Sequence, residues 1–144
     1  MEDRKREMDC IFCAIIEGKA PAEIVYEDEA TVAFMDINPA NPGHVLVVPR
    51  RHVRDVFDID EETAAAVMRA AVRVARAIKA ALQPDGVNLM QASGRAAFQS
   101  VFHFHLHVVP RWWDDSLKLP WRPTPGDPSA IRAAASRIRE HIGG

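Results

Sequence analysis

Residues 102–109 read Phe-His-Phe-His-Leu-His-Val-Val, a strict two-residue alternation that an extended strand converts into two different faces. On such a strand His103, His105 and His107 share one side, ~7 Å apart at each step, while Phe104, Leu106 and Val108 share the other. The apolar side predicts a core. The imidazole side contributes nothing to burial and predicts an exposed chemical surface, because imidazole titrates near neutrality and serves both metal binding and phosphoryl chemistry. One histidine on a strand is ordinarily a tolerated half-buried residue; three at period two before an apolar run are not.

The predicted strand runs Ser100–Pro110, and the rest of the chain supplies partners for it. Cys10 to Gly18 predicts one or two helical turns stopped by the glycine. Glu23–Asp28 and Thr31–Asp36 predict a hairpin around an acidic turn, and Ile37–Gly43, with two prolines, predicts a loop. His44–Pro49 predicts a short buried strand, and Val87–Gln91 another. A helix is predicted from Asp58 or Asp60 to Pro84, with Val67, Ala71, Val74, Ile78 and Leu82 on one side. Four prolines between Pro120 and Pro128 predict a meander, and a last helix capped by Asp127 carries Ile131, Ala134, Ile138 and Ile142 as a stripe. Short, mostly antiparallel strands with interspersed helices define an α+β class.

At 144 residues the chain fits one domain. Its 18 basic and 20 acidic residues nearly cancel, which argues against a nucleic-acid or anionic-membrane binder. The opening MEDRKREMDC has no apolar core of the signal-peptide kind and no long apolar run follows, so the expected compartment is the cytoplasm.

The run Gln99–Arg111 resembles the signature of the histidine triad family of nucleotide-binding hydrolases and transferases. The resemblance extends through Asp36-Ile37-Asn38-Pro39, Gly43–Pro49 and the opening Cys10-Ile-Phe-Cys13. It implies a five-stranded antiparallel sheet with one long helix, one or two short ones and a C-terminal helix. The division it suggests is a flexible tail 1–9, a histidine triad domain 10–111 and an extension 112–144.

The resemblance also implies a chemistry: attack by His105 on the α-phosphorus of a nucleotide, giving a nucleotidyl-histidine that water or another acceptor resolves. His107, His44 and Ser100 would complete the catalytic group, with substrate contacts from Asp36, Ile37, Asn38, Gln99 and Ser93. Asp36 would hold the ribose hydroxyls, although a loop-capping aspartate fits that position equally well. Ile37, Phe12 and Phe34 suit either a base contact or the core. The substrate class is a purine nucleoside monophosphate moiety in phosphoramidate, acyl or polyphosphate linkage, and the expected assembly is a homodimer. A nucleotide-binding regulator with negligible turnover is the alternative.

Cys10-x-x-Cys13 has the spacing of a half zinc site, a weak signal alone. In the zinc-containing branch of the family the set would be completed by His52 and His103, closing a structural Zn²⁺ site. A third reading places the zinc on the triad itself. Two departures from the family pattern stand out: Phe98 where many members have glycine, and Ala92 where relatives often place a hydrogen-bonding side chain.

Overall fold

A computed structural model describes residues 9–143; the charged run 1–8, nearly all of the expected tail, lies outside them. Helix α1 spans Ile11–Ile16, and its first-turn N–H from Cys13 is taken by the sulfur of Cys10 at 3.4 Å. Strands β1 (Ile24–Glu27) and β2 (Thr31–Met35) form the hairpin. Its turn is held by one carboxylate oxygen of Asp28, which accepts the N–H groups of Ala30 and Thr31 at 2.9 and 2.7 Å. Strand β3 (Val45–Pro49) follows the proline-rich loop. Helix α2 (Glu61–Leu82) starts at Asp60, whose side chain caps the N–H of Thr63, with Glu61 and Glu62 favourably placed on the helix dipole. Strands β4 (Gly86–Gln91) and β5 (Leu106–Arg111) and helix α3 (Pro128–His141) complete the order.

The strands form one antiparallel sheet in the order β1-β2-β3-β5-β4, the α+β architecture the sequence predicts. Every residue of β3 is buried because the strand is covered on both faces. Val45 and Val47 meet Val67, Ala71, Val74 and Ile78 of α2. Leu46 and Val48 face the other way, onto Phe12 and Ile15 of α1. His107 pairs directly with Leu46, so it lies on the α1 side of the sheet, away from the long helix.

The histidine segment departs from its prediction in two respects. The ladder begins at Leu106, not Ser100, so His103 and His105 precede the strand. Pro49 is the reason. Antiparallel pairing beyond Val47 would bring Pro49 opposite the histidine segment, where it has no N–H to donate, and the N–H of Phe104 turns instead to the carbonyl of Val53 at 2.7 Å. Nor is the imidazole face exposed: His103 and His105 are buried, at 0% and 5% exposure. The apolar side behaves as expected, with Phe104 and Val108 in the core beneath α2.

Gly43 ends the proline-rich loop at φ 92°, and a Cβ there would collide with the end of Leu82 and approach Pro110. Helix α3 forms with Asp127 and Pro128 as predicted, but none of its residues is buried, and Ile131, Ile138 and Ile142 face solvent.

Candidate active site and metal centre

Hydrogen bonds around the histidines determine which ring nitrogen carries each proton. The Nδ1 of His105 lies 2.7 Å from the carbonyl oxygen of His103. A carbonyl only accepts, so Nδ1 holds the proton and the lone pair of the neutral ring is on Nε2. Burial pushes the His105 pKa down, which keeps the ring neutral near pH 7.

A second chain of bonds begins at the proline-rich loop. The N–H of Ala40 donates to Nδ1 of His44 at 3.0 Å, so the His44 proton must be on Nε2. That Nε2–H points at Nδ1 of His107, 2.9 Å away, and the His107 proton is thereby placed on its own Nε2. Burial lowers both pKa values, that of His107 to about 4. The result is an acceptor nitrogen on His105 beside a donor nitrogen on His107, with the two rings 4.9 Å apart.

These two rings line a cavity of about 540 Å³, within the size range of small-molecule sites. Its deep wall is apolar: Ile15 and Phe12 from α1, and Phe34 and Leu46 from the sheet. The ring of Phe12 stands edge-on to His105 at 5.1 Å, so the imidazole is packed as well as hydrogen-bonded. Asp36, Ile37, Asn38 and Ser100 lie at the rim. Asp36 caps the loop, its Oδ1 accepting the N–H of Asn38 at 2.8 Å, and it also lines the cavity. Its Oδ2 is 3.5 Å from His44 Nε2, a longer approach than the one to His107.

At the start of the same histidine segment, the donor atoms of Cys10, Cys13, His52 and His103 lie within 4.8 Å of one another. Adjacent donors are 3.2–3.5 Å apart: 3.5 Å from each sulfur to His103 Nδ1, 3.3 Å from Cys13 to His52, and 3.2 Å between the two imidazoles. A tetrahedral ion with Zn–N and Zn–S bonds of ~2.0–2.3 Å has edges of roughly 3.3–3.8 Å, and these four separations lie close to that range. His103 also donates through Nε2 to the Pro49 carbonyl at 2.8 Å, the outer contact a ligating histidine requires.

Asp36, His44 and His107 form a second cluster of potential ligands, and here the outer contact is wrong. Ligation through Nε2 of His44 would leave Nδ1 needing a proton where the Ala40 N–H already donates. The triad therefore does not suit the metal-bound reading.

Two expected substrate contacts are placed elsewhere. Gln99 is buried, and its amide is spent within the protein: Oε1 accepts the N–H of Gly94, and Nε2 donates to the carbonyls of Arg54 and Val101. The hydroxyl of Ser93 bonds Gln91 and accepts the N–H of Val56. Both hold the β4–β5 loop and so position Ser100. Sequence reasoning missed the Ala40 N–H and the Pro49 carbonyl, since backbone groups leave no residue-type signal.

A family model described as the HIT domain matches residues 17–112. The adenosine 5'-monophosphoramidase hnt1 of Schizosaccharomyces pombe is 33% identical, covering 94% of this chain and 99% of its own. A crystal structure of a HIT-family member from Bacillus subtilis superposes with a TM-score of 0.88 at 36% identity, over 94% of this chain and 99% of that one. A Zn-bound histidine triad family protein from Mycobacterium smegmatis gives a TM-score of 0.75 at 42% identity, over 93% and 98%.

Proposed function

The chain belongs to the HIT-domain family, and we propose that it cleaves nucleoside 5'-phosphoramidates or (di)nucleoside polyphosphates at the α-phosphate through a nucleotidyl-His105 intermediate. The observation that carries this reading is the pairing of a lone pair on His105 Nε2, set by the His103 carbonyl, with a proton on His107 Nε2, set by the Ala40 N–H through the His44 ring. A nucleophile needs the first and a phosphate oxygen needs the second.

The nucleoside, purine in this reading, enters the apolar end of the cavity, and Asp36 receives the ribose hydroxyls. His105 Nε2 forms a bond to phosphorus as the P–N or P–O bond to the leaving group breaks. The leaving group takes the bonding pair and a proton from solvent. His107 Nε2–H and the Ser100 hydroxyl hold the phosphate oxygens during this step. Water then breaks the N–P bond, releasing the nucleoside monophosphate and restoring the neutral imidazole.

Zn²⁺ on Cys10, Cys13, His52 and His103 supports this arrangement as a structural ion, bracing the segment whose His103 carbonyl orients His105. We also place the protein in the cytoplasm as a homodimer. Exposed Met68 and Leu82 on α2 and Leu89 on the α2 face of the edge strand β4 support a partner on that side.

The test is a panel of adenosine 5'-phosphoramidate, a dinucleoside polyphosphate and adenosine monophosphate itself, given to wild type and His105→Ala. Turnover in wild type and a loss of at least ~10³-fold in the variant support the reading. Binding of the monophosphate with no product from any substrate would instead identify the regulator.

A further inference from the structure

A four-residue turn, Asn41-Pro42-Gly43-His44, ends the proline-rich loop and delivers His44 to the cavity. It closes with the His44 N–H on the Asn41 carbonyl at 3.2 Å, and Pro42 followed by Gly43 at φ 92° is the pair that a type II turn favours. The N–H that sets the His44 tautomer belongs to Ala40, immediately before this turn. Both of these bonds are local to residues 40–44. The side chain of Asn41 supplies a distant one.

Asn41 Nδ2 donates to the carbonyl of Pro110 at 2.9 Å and to Oδ2 of Asp115 at 3.0 Å, tying the turn to the end of β5 and to the C-terminal extension. Asp115 is itself fixed, with a side chain only 7% exposed. Besides Asn41, its carboxylate accepts Nε and Nη2 of Arg111 at 2.8 and 3.0 Å and the N–H groups of Trp112 and Leu117 at 2.9 and 3.1 Å. Arg111 in turn donates to Oδ1 of Asn88 at 2.7 Å and to the Leu117 carbonyl at 3.0 Å. A carboxylate gripped by charge-assisted and backbone donors on both oxygens is a rigid anchor for the amide that reaches it.

Asp115 lies past residue 112, where the HIT-domain match ends, so this anchor is supplied from outside the matched domain. Neither Asp115 nor Asn41 lines the cavity that His105 and His107 share, and any effect on the chemistry has to pass through the loop. We propose that Asn41, anchored by Asp115 of the extension, is a positioning residue for the His44–His107 pair. It holds the Ala40 N–H on His44 Nδ1 and so keeps the Nε2 proton of His107 directed at the phosphate. The effect on turnover rests on the hydrolase reading above; the effect on His44 does not.

The experiment compares the full chain as wild type, Asn41→Leu, Asp115→Ala and the double variant, by imidazole nitrogen NMR and by steady-state kinetics on adenosine 5'-phosphoramidate. An imidazole nitrogen that accepts a hydrogen bond resonates upfield of one that does not. The His44 Nδ1 signal is therefore expected to move downfield in both single variants, while the His105 signals, set by the His103 carbonyl, stay in place. In both, kcat is expected to fall about 5- to 30-fold with KM nearly constant, the loss that follows removal of one hydrogen bond from a transition-state contact. The double variant is expected to be no slower than the slower single one, because Asp115 acts through Asn41. A His44 signal unmoved in Asn41→Leu, or losses that multiply in the double variant, would overturn the proposal. Should Asp115→Ala not fold, Asn41→Leu decides through the same signal. Absence of turnover in wild type would remove the hydrolase reading and leave the His44 signal to decide the positioning.

Discussion

Replacing Gln99 by methionine, close to it in length but without polar atoms, separates a loop anchor from a substrate ligand. The wild-type amide makes three hydrogen bonds at 4% exposure: 2.7 Å from Gly94 N–H, 2.8 Å to the Arg54 carbonyl and 3.1 Å to the Val101 carbonyl. Each is worth about 1 kcal/mol net, so Gln99→Met should cost about 3 kcal/mol. For a 144-residue chain the entropy of unfolding is about 0.3 kcal/mol/K, which converts that cost into a melting temperature about 10 °C lower. Because Ser100 follows directly, kcat should fall as the hydroxyl loses its position, with KM for the nucleoside portion nearly constant. Differential scanning fluorimetry and steady-state kinetics read both quantities. A melting temperature within 2 °C of wild type together with a raised KM would show that Gln99 touches substrate, refuting the assignment of its amide to the loop.

The remaining predictions concern protons and metal. His107 is held neutral by burial with a pKa of about 4, against ~6.5 in an unfolded chain, so the folded state binds fewer protons between those values. Stability is therefore full above pH 6.5 and declines as pH falls toward 4, with about 1–2 kcal/mol lost to this group at pH 5. His107→Asn should show a correspondingly smaller drop in melting temperature between pH 7.5 and 5; an identical drop would place the acid sensitivity elsewhere. Protein purified without chelator should contain one zinc per chain, and Cys13→Ser should weaken its retention by at least ~10-fold. Chelation should lower the melting temperature along with activity. Loss of activity at unchanged melting temperature would move the metal to the triad.

Side-chain pattern made much of this molecule legible. The alternation from Phe102 to Val109 identified the core-facing residues Phe104 and Val108, and Asp60 and Asp127 marked two helix starts. The family resemblance brought together four metal-ligand candidates from three distant stretches, and the fold places their donor atoms in one cluster. Failures arose where a backbone group decides the outcome. Pro49 ends the ladder and so turns His103 and His105 inward, an effect felt across strands and invisible within the histidine segment itself. Gln99 and Ser93 have the residue types of ligands, but neighbouring amides and carbonyls use their hydrogen-bonding capacity. The stripe on α3 was read correctly as a stripe, yet periodicity cannot say whether an apolar face is covered, and in this chain it is not.

The central claim is that His105 Nε2 becomes bonded to phosphorus. Rapid mixing of the protein with adenosine 5'-phosphoramidate, denaturing quench at alkaline pH and peptide mass mapping test it directly. The account predicts an acid-labile adenylyl group on His105, formed within one turnover and absent from His105→Ala. Turnover by wild type with no adduct at any time, or an adduct on His107 or His44, would contradict it.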